Sequence, residues 1–407
     1  MTDSLKLKNI DCRFRQGAEI HRAGWIAADP QTIIQNGWLC IENGIIREIG
    51  QGRISASVPI LDHGPGVIIP ALINVHTHLE LSALKGKISF AHGFRPWVSM
   101  LLEKRASTTA EELKKGAQAG IEELRSSGCI AVGEISTLGL TREILRNSGL
   151  GGVWFREYLG GMEAVTAQAG SLCHSAAQTE SLCCFDSMAG HAPHTTSPEL
   201  LKTLKENTRK YGLPFSLHLA ESEDETEFLR TGKGQWADFL TQRGIDFSGW
   251  GLPVENPVAY ADQLGLADEK SIFVHLLNAG PEDFSLLKKR GSHVCICPRS
   301  NYNLHARLPD LPGMLRAGLH PCMGTDSSAS VETLNLFDEM AFTAKCFPEI
   351  SPEHIFAMSG VNGAAALGLA DRFGSLIPGK SGTFIYIPIN NCASSNLLER
   401  VIHETVF

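Results

Sequence analysis

Val75-His76-Thr77-His78 decides how this chain is read. The segment closes an apolar run, and residues two apart in a strand point to the same side, so His76 and His78 can converge on one ion. Alone, such a pair more often ends as ordinary surface or core histidine. Four further segments change that reading: Leu217-His218-Leu219-Ala220-Glu221, Phe273-Val274-His275, Cys297-Pro298-Arg299-Ser300-Asn301 and Gly324-Thr325-Asp326-Ser327 follow in order, each just after a strand-like apolar run. Neutral imidazoles and a carboxylate are what a borderline divalent ion such as zinc takes as ligands.

Outward from these segments the chain alternates strand and helix. Strand-like runs end at 67–70, 129–133, 153–155, 188–190, 214–217, 272–274, 294–296 and 321–324, with helix-spaced patterns such as 111–126 and 197–211 between them. Ser197-Pro198-Glu199 opens the second of these with an N-cap and a proline at the first helical position. Buried strands alternating with helices mean a parallel sheet, and eight such units predict a closed (β/α)₈ TIM barrel whose chemistry sits at the C-terminal strand ends. Every candidate donor falls at such an end.

The flanks read differently. Residues 38–50 form two short strands about the Asn43-Gly44 turn, and 383–387 read as another strand. We therefore expect a small β-sandwich domain formed by both chain termini, residues 1–65 plus 373–407, beside a barrel over 66–372.

The chain has 407 residues, a formal net charge of -8 and 43% hydrophobic residues, as in a globular protein with a large core. Its basic residues are scattered, which argues against a nucleic-acid partner. Residues 1–6 lack the apolar core of a signal peptide and no apolar run reaches membrane-spanning length, so a cytoplasmic protein with no membrane partner is expected. Eleven cysteines show no disulfide spacing. Cys295 and Cys297 share a strand face and could form a soft-metal site, but an apolar run favours plain packing.

The ordered segments resemble the amidohydrolase superfamily, in the branch of the S-adenosylhomocysteine, methylthioadenosine and aminodeoxyfutalosine deaminases, related to guanine and cytosine deaminases and triazine hydrolases. The likeness runs from Asn43-Gly44 to Pro378-Gly379-Lys380. It implies His76, His78, His218 and Asp326 as ligands of one divalent transition metal ion, Zn2+ first, with Fe2+ or Ni2+ as alternatives. Asp326 and His275, the histidine that holds the attacking water, join Glu221, the proton shuttle, as catalytic residues; His194 contacts substrate. The fourth strand end has no lysine to bridge two metals, which implies a mononuclear site.

Physical chemistry agrees: an ion in that set lowers the pKa of water from about 15.7 towards 7. A carboxylate that is not a ligand can carry the protons a deaminase must move. Glu221 opens the charged run Glu221-Ser222-Glu223-Asp224-Glu225, most of which reads as solvated. His78-Leu79-Glu80 is more similar to aminodeoxyfutalosine deaminases than to the methylthioadenosine branch. Glu80, Glu134, Arg156 and Glu157 reach the barrel mouth, where Arg156 either pairs with a substrate carboxylate or braces a loop through Glu157 or Glu134. Asn278 and Val331 depart from the family pattern. The expected reaction is removal of the 6-amino group of an adenine nucleoside derivative, aminodeoxyfutalosine first, then S-adenosylhomocysteine, methylthioadenosine or adenosine. The alternatives are hydrolysis of another C–N or C–Cl bond, as in the guanine, cytosine or triazine enzymes, and an inactive barrel that only binds. The partner expected is a small-molecule substrate, with monomer and homodimer both open.

Overall fold

The computed structural model describes residues 7–53, 57–163, 184–390 and 392–404. Among them eight parallel strands follow one another around a barrel in chain order: Leu72–Thr77, Cys129–Ser136, Gly151–Tyr158, Cys184–Gly190, Phe215–Leu219, Ser271–His275, His293–Ile296 and Cys322–Met323. The first and eighth close the ring just beyond the last strand: Thr325 and Asp326 donate backbone N–H groups to His76 O at 3.1 and 3.0 Å, and Asn74 Nδ2 donates to Thr325 Oγ1 at 2.8 Å. Closure of the barrel thus falls on the segments that carry His76, His78 and Asp326.

Seven of the eight expected runs are barrel strands. The eighth, Val67–Pro70, pairs with Ala18–Ala27 and Thr383–Ile387 in a separate sheet, and the first barrel strand is the next run, Leu72–Thr77. Two apolar runs sit back to back across Ala71, and burial alone could not say which entered the barrel.

That separate sheet has seven strands, six before residue 71 and one from near the other end. Its hairpin turns at Asn43-Gly44, where both residues have positive φ (50° and 79°), as the expected turn requires. A Cβ on Gly44 would also stand 2.7 Å from Arg13 O. The terminal contribution is not all β: Leu397–Glu404 is a helix that packs on the barrel's outer helices Leu336–Cys346 and Pro352–Met358.

The barrel's helices form for the reasons their sequences give. Thr109 caps Ala110–Ser126 through a reciprocal capping box with Glu112, and Ser197 caps Pro198–Lys210 by accepting from Leu200 N. Leu200, Leu201 and Leu204 lie fully buried against Phe215 and Leu217, each contributing about 1.5–3 kcal/mol. Cys295 and Cys297 are buried in the packing among the strands, as read. No helix of the described residues is long and apolar enough to cross a membrane.

The first strand is held tightly on both sides. A Cβ on Gly133 in the second strand would stand 2.0 Å from Val75 O, and one on Gly324 beside the eighth would stand 2.8 Å from His76 O. Both obstacles are backbone, which cannot rotate away. We expect Gly133→Ala to cost about 1–3 kcal/mol and to lower the melting temperature by several degrees. An unchanged thermal unfolding curve would show slack where the structure shows none.

Candidate active site

The strand ends bring six of the expected residues to one place. His76 Nε2 lies 3.2 Å from both His78 Nε2 and His218 Nε2, while Asp326 Oδ1 lies 3.6 Å from His78 Nε2 and 3.9 Å from His76 Nε2. An N–H on His76 Nε2 could serve one of its two neighbours, not both. Burial holds the His76 imidazole well below its usual pKa and His78 at about 4, so both are neutral donors at pH 7. Nitrogens about 2.0–2.1 Å from a tetrahedral zinc are roughly 3.3 Å apart, close to the separations found. The donor set therefore fits a divalent ion.

Neighbouring groups aim these donors. His218 Nδ1 is 2.7 Å from His191 O, and a carbonyl only accepts, so Nδ1 carries the proton and Nε2 keeps its lone pair for the centre. Ser300 and Ser330 donate to Asp326 Oδ2 at 2.5 and 3.2 Å, leaving Oδ1 to face the imidazoles. Asn301 Nδ2 lies 2.9 Å from His275 Nδ1 and fixes that ring. Ala220, His275, Leu276 and Asp326 all have φ between 51° and 79°. Non-glycine residues there cost about 1–3 kcal/mol each, and such strain collects at functional sites.

Glu221 and His275 stand beside the centre, with Glu221 Oε1 3.8 Å from His275 Nε2 and 3.2 Å from His305 Nε2. Burial pushes the Glu221 carboxyl up, but His275, His305 and His218 outweigh it and hold it below the usual carboxylate range. It is ionised at neutral pH. Four residues on, Glu225 accepts from the backbone N–H groups of Ala220 and Glu221 at 3.0 and 2.9 Å. Burial raises its pKa to about 8. The sequence reading placed most of the acidic run in solvent, yet Glu225 is 0% exposed, because Ser222 caps the helix Glu223–Thr231 and turns position 225 inward. The Ser222-x-x-Glu225 spacing of a capping box was the available signal.

His78, His218, Glu221, His275 and Asp326 line a cavity of about 380 Å3. Its apolar walls come from two helices after the first and fifth strands, Phe94–Ser107 with Phe94, Trp97 and Leu101, and Gln235–Gln242 with Trp236 and Phe239. His194 lines it as expected, its ring 4.2 Å from that of Trp236. His191, Phe94, Trp236 and His305 were not singled out in the sequence. His191 follows the fourth strand directly and could have been found by position.

Three expected substrate contacts lie elsewhere. Glu80 accepts from Ser136 Oγ, Leu138 N and Leu140 N, and Glu134 from Leu79 N and Thr141 Oγ1, so both carboxylates hold loops at the mouth and neither lines the cavity. Arg156 also lies outside it. Strand alternation turns Glu157 inward and Arg156 outward, where its Nη1 lies against Gly139. The cations that do line the cavity are Arg105 and Arg243. Val331 is buried in core packing, and Asn278 accepts from Arg307 Nη1 at 2.7 Å, away from the cavity.

Side chains able to hold a metal ion at the strand ends of a (β/α)₈ barrel, with a carboxylate beside them, are the arrangement of a class of hydrolase. Residues 67–403 match the profile of the Amidohydrolase family, and the chain belongs to that family. It is 29% identical over 321 residues to aminodeoxyfutalosine deaminase of Deinococcus radiodurans, covering 74% of this chain and 73% of that protein. It is 26% identical over 340 residues to 5-methylthioadenosine/S-adenosylhomocysteine deaminase of Nitratidesulfovibrio vulgaris, covering 78% and 69%. The crystal structure of Helicobacter pylori aminofutalosine deaminase with methylthio-coformycin superposes with a TM-score of 0.84 at 23% identity, covering 95% of this chain and 96% of that one. The protein is thus a hydrolase acting on carbon–nitrogen bonds other than peptide bonds.

With four donors about one centre, the purified protein should hold about one divalent transition ion per chain. His76→Ala and Asp326→Ala should each lose most of it in elemental analysis. Full retention in both would remove these residues from the metal site.

Proposed function

We propose that this protein is a metal-dependent deaminase that hydrolyses the 6-amino group of an adenine nucleoside derivative, with aminodeoxyfutalosine as first candidate. The observation that carries this is Glu221, a carboxylate that is not among the converging donors yet faces the same cavity at 9% exposure. A divalent ion held by His76, His78, His218 and Asp326 supplies Lewis acidity that makes water nucleophilic at neutral pH, and zinc suits three imidazoles and one carboxylate.

The chain's own residues do the rest. Glu221 takes one proton from the attacking water and delivers it to the ring nitrogen beside the attacked carbon. It then takes the second from the hydroxyl now on that carbon and passes it to the amino group, so that the C–N bond breaks, ammonia leaves and the oxygen stays as a carbonyl. His275, fixed by Asn301, faces the same water. The apolar walls take a flat heterocycle and exclude solvent. Glu157 and His194 line the cavity and offer it polar groups, Glu157 for a ribose hydroxyl and His194 for a group on the base.

Aminodeoxyfutalosine carries a carboxylate far from its amine. Arg105, on the helix Phe94–Ser107, is our candidate to receive it, and Arg243 is the other cation lining the cavity. The relatives named above support both nucleoside readings.

Ammonia release across a panel of purine nucleosides tests the proposal, and absence of turnover on every adenine nucleoside would end it. Glu221→Gln should keep metal and substrate affinity but lose several orders of magnitude in kcat, since an amide cannot accept the proton. Arg105→Met should cost roughly ten- to hundredfold in kcat/KM on the carboxylate-bearing nucleoside, as expected for a charge-assisted contact, and leave adenosine almost unaffected. Equal losses on both would exclude Arg105 as the carboxylate's partner.

A further inference from the structure

Glu221 is reached from two sides. Besides the substrate cavity it borders a separate open cleft of about 410 Å3, whose polar wall includes Arg95, Asp224, Asn278, His305 and Arg307. His305 and Glu221 both line this cleft. It is the last residue of the helix Pro298–His305, whose first turn supplies Ser300 to Asp326 and Asn301 to His275. One short helix therefore touches three of the groups at the centre.

The contact is specific in geometry. His305 Nε2 lies 3.2 Å from Glu221 Oε1, while His275 Nε2 is 3.8 Å from the same oxygen and outside hydrogen-bond reach. The His305 ring is braced against Phe94, centroids 4.5 Å apart, so it cannot swing freely. His305 does not line the substrate cavity. A glutamate has three rotatable side-chain bonds, and without a donor to anchor it the carboxylate would sample orientations that miss the reacting water.

We propose that His305 is a positioning residue: its Nε2–H donates to Glu221 Oε1 and aims that carboxylate into the substrate cavity, and the cleft behind it gives small polar molecules access to this pair from solvent. The proposal rests on the reading of Glu221 as the proton-moving group.

The test is steady-state kinetics on the best nucleoside of the panel, with metal content and melting temperature measured for each variant. His305→Ala should lose roughly ten- to hundredfold in kcat, the scale of a hydrogen bond to a charged group. KM should stay within about twofold, with metal and stability intact. His305→Gln, whose amide can still donate, should recover most of the loss. Imidazole added to His305→Ala should enter the cleft and restore turnover in a saturable way, without stimulating the wild type or stripping its metal.

Wild-type kcat in His305→Ala overturns the proposal. So does a raised KM with kcat unchanged, which would make His305 a substrate contact, and so does equal loss in both variants with no imidazole rescue. A crystal structure of His305→Ala with the Glu221 carboxylate unmoved would overturn it independently of any substrate. Failure of the underlying reading looks different: the wild type would turn over no adenine nucleoside, or Glu221→Gln would stay fully active.

Discussion

Closure of the barrel between its first and eighth strands is the constraint on which the site depends. His76 and Asp326 are 250 residues apart in sequence, and they meet because the backbone N–H groups of Thr325 and Asp326 both find His76 O. The fold itself brings these donors together; no loop has to be ordered for them to meet. The glycines at 133 and 324 make the fit possible by letting neighbouring backbone approach the first strand where a side chain would collide. Residues at the strand ends then accept strained backbone, Asp326 and His275 among them, and the hydrogen bonds from Ser300, Ser330 and Asn301 hold them there.

Electrostatics at the centre follows from that enclosure. Imidazoles buried together are kept neutral because charging one costs desolvation and repels the others. Glu221 has the opposite fate: the imidazoles of His275, His305 and His218 outweigh its burial, with His305 Nε2 3.2 Å from Oε1, and its ionised form is the favoured one. Glu225, in the first turn of the helix Glu223–Thr231, shows that surroundings matter more than residue type. It is buried to hold backbone, and its carboxyl is pushed up instead of down.

The barrel, and the meeting of His76, His78, His218 and Asp326 at its strand ends, were legible in the sequence because both rest on short-range patterns: apolar runs of strand length and polar residues placed just after them. The first strand was misplaced by one run because Val67–Pro70 and Leu72–Thr77 are equally buried and nearly contiguous. Substrate contacts were harder to read. Position near a strand end puts Arg156 and Glu157 at the same depth, and only the alternation of the strand, once its register is known, sends one inward and the other to the outer layer. Glu80 and Glu134 had the right depth too, but loop N–H and hydroxyl groups that pattern analysis does not see claim their oxygens. The helix Phe94–Ser107 and Gln235–Gln242 walls were invisible for a related reason, since an apolar helix face looks the same whether it covers a core or a cavity.

The central claim is that this site adds water to an aromatic carbon and expels ammonia from it. Turnover of an adenine nucleoside in water labelled with heavy oxygen, read by mass spectrometry, tests that most directly. The product should carry one labelled oxygen on the base at the carbon that lost nitrogen, with the ribose and its substituent intact, and one ammonia should appear for each product molecule. A free adenine base, a label elsewhere in the molecule, or product without ammonia would contradict it.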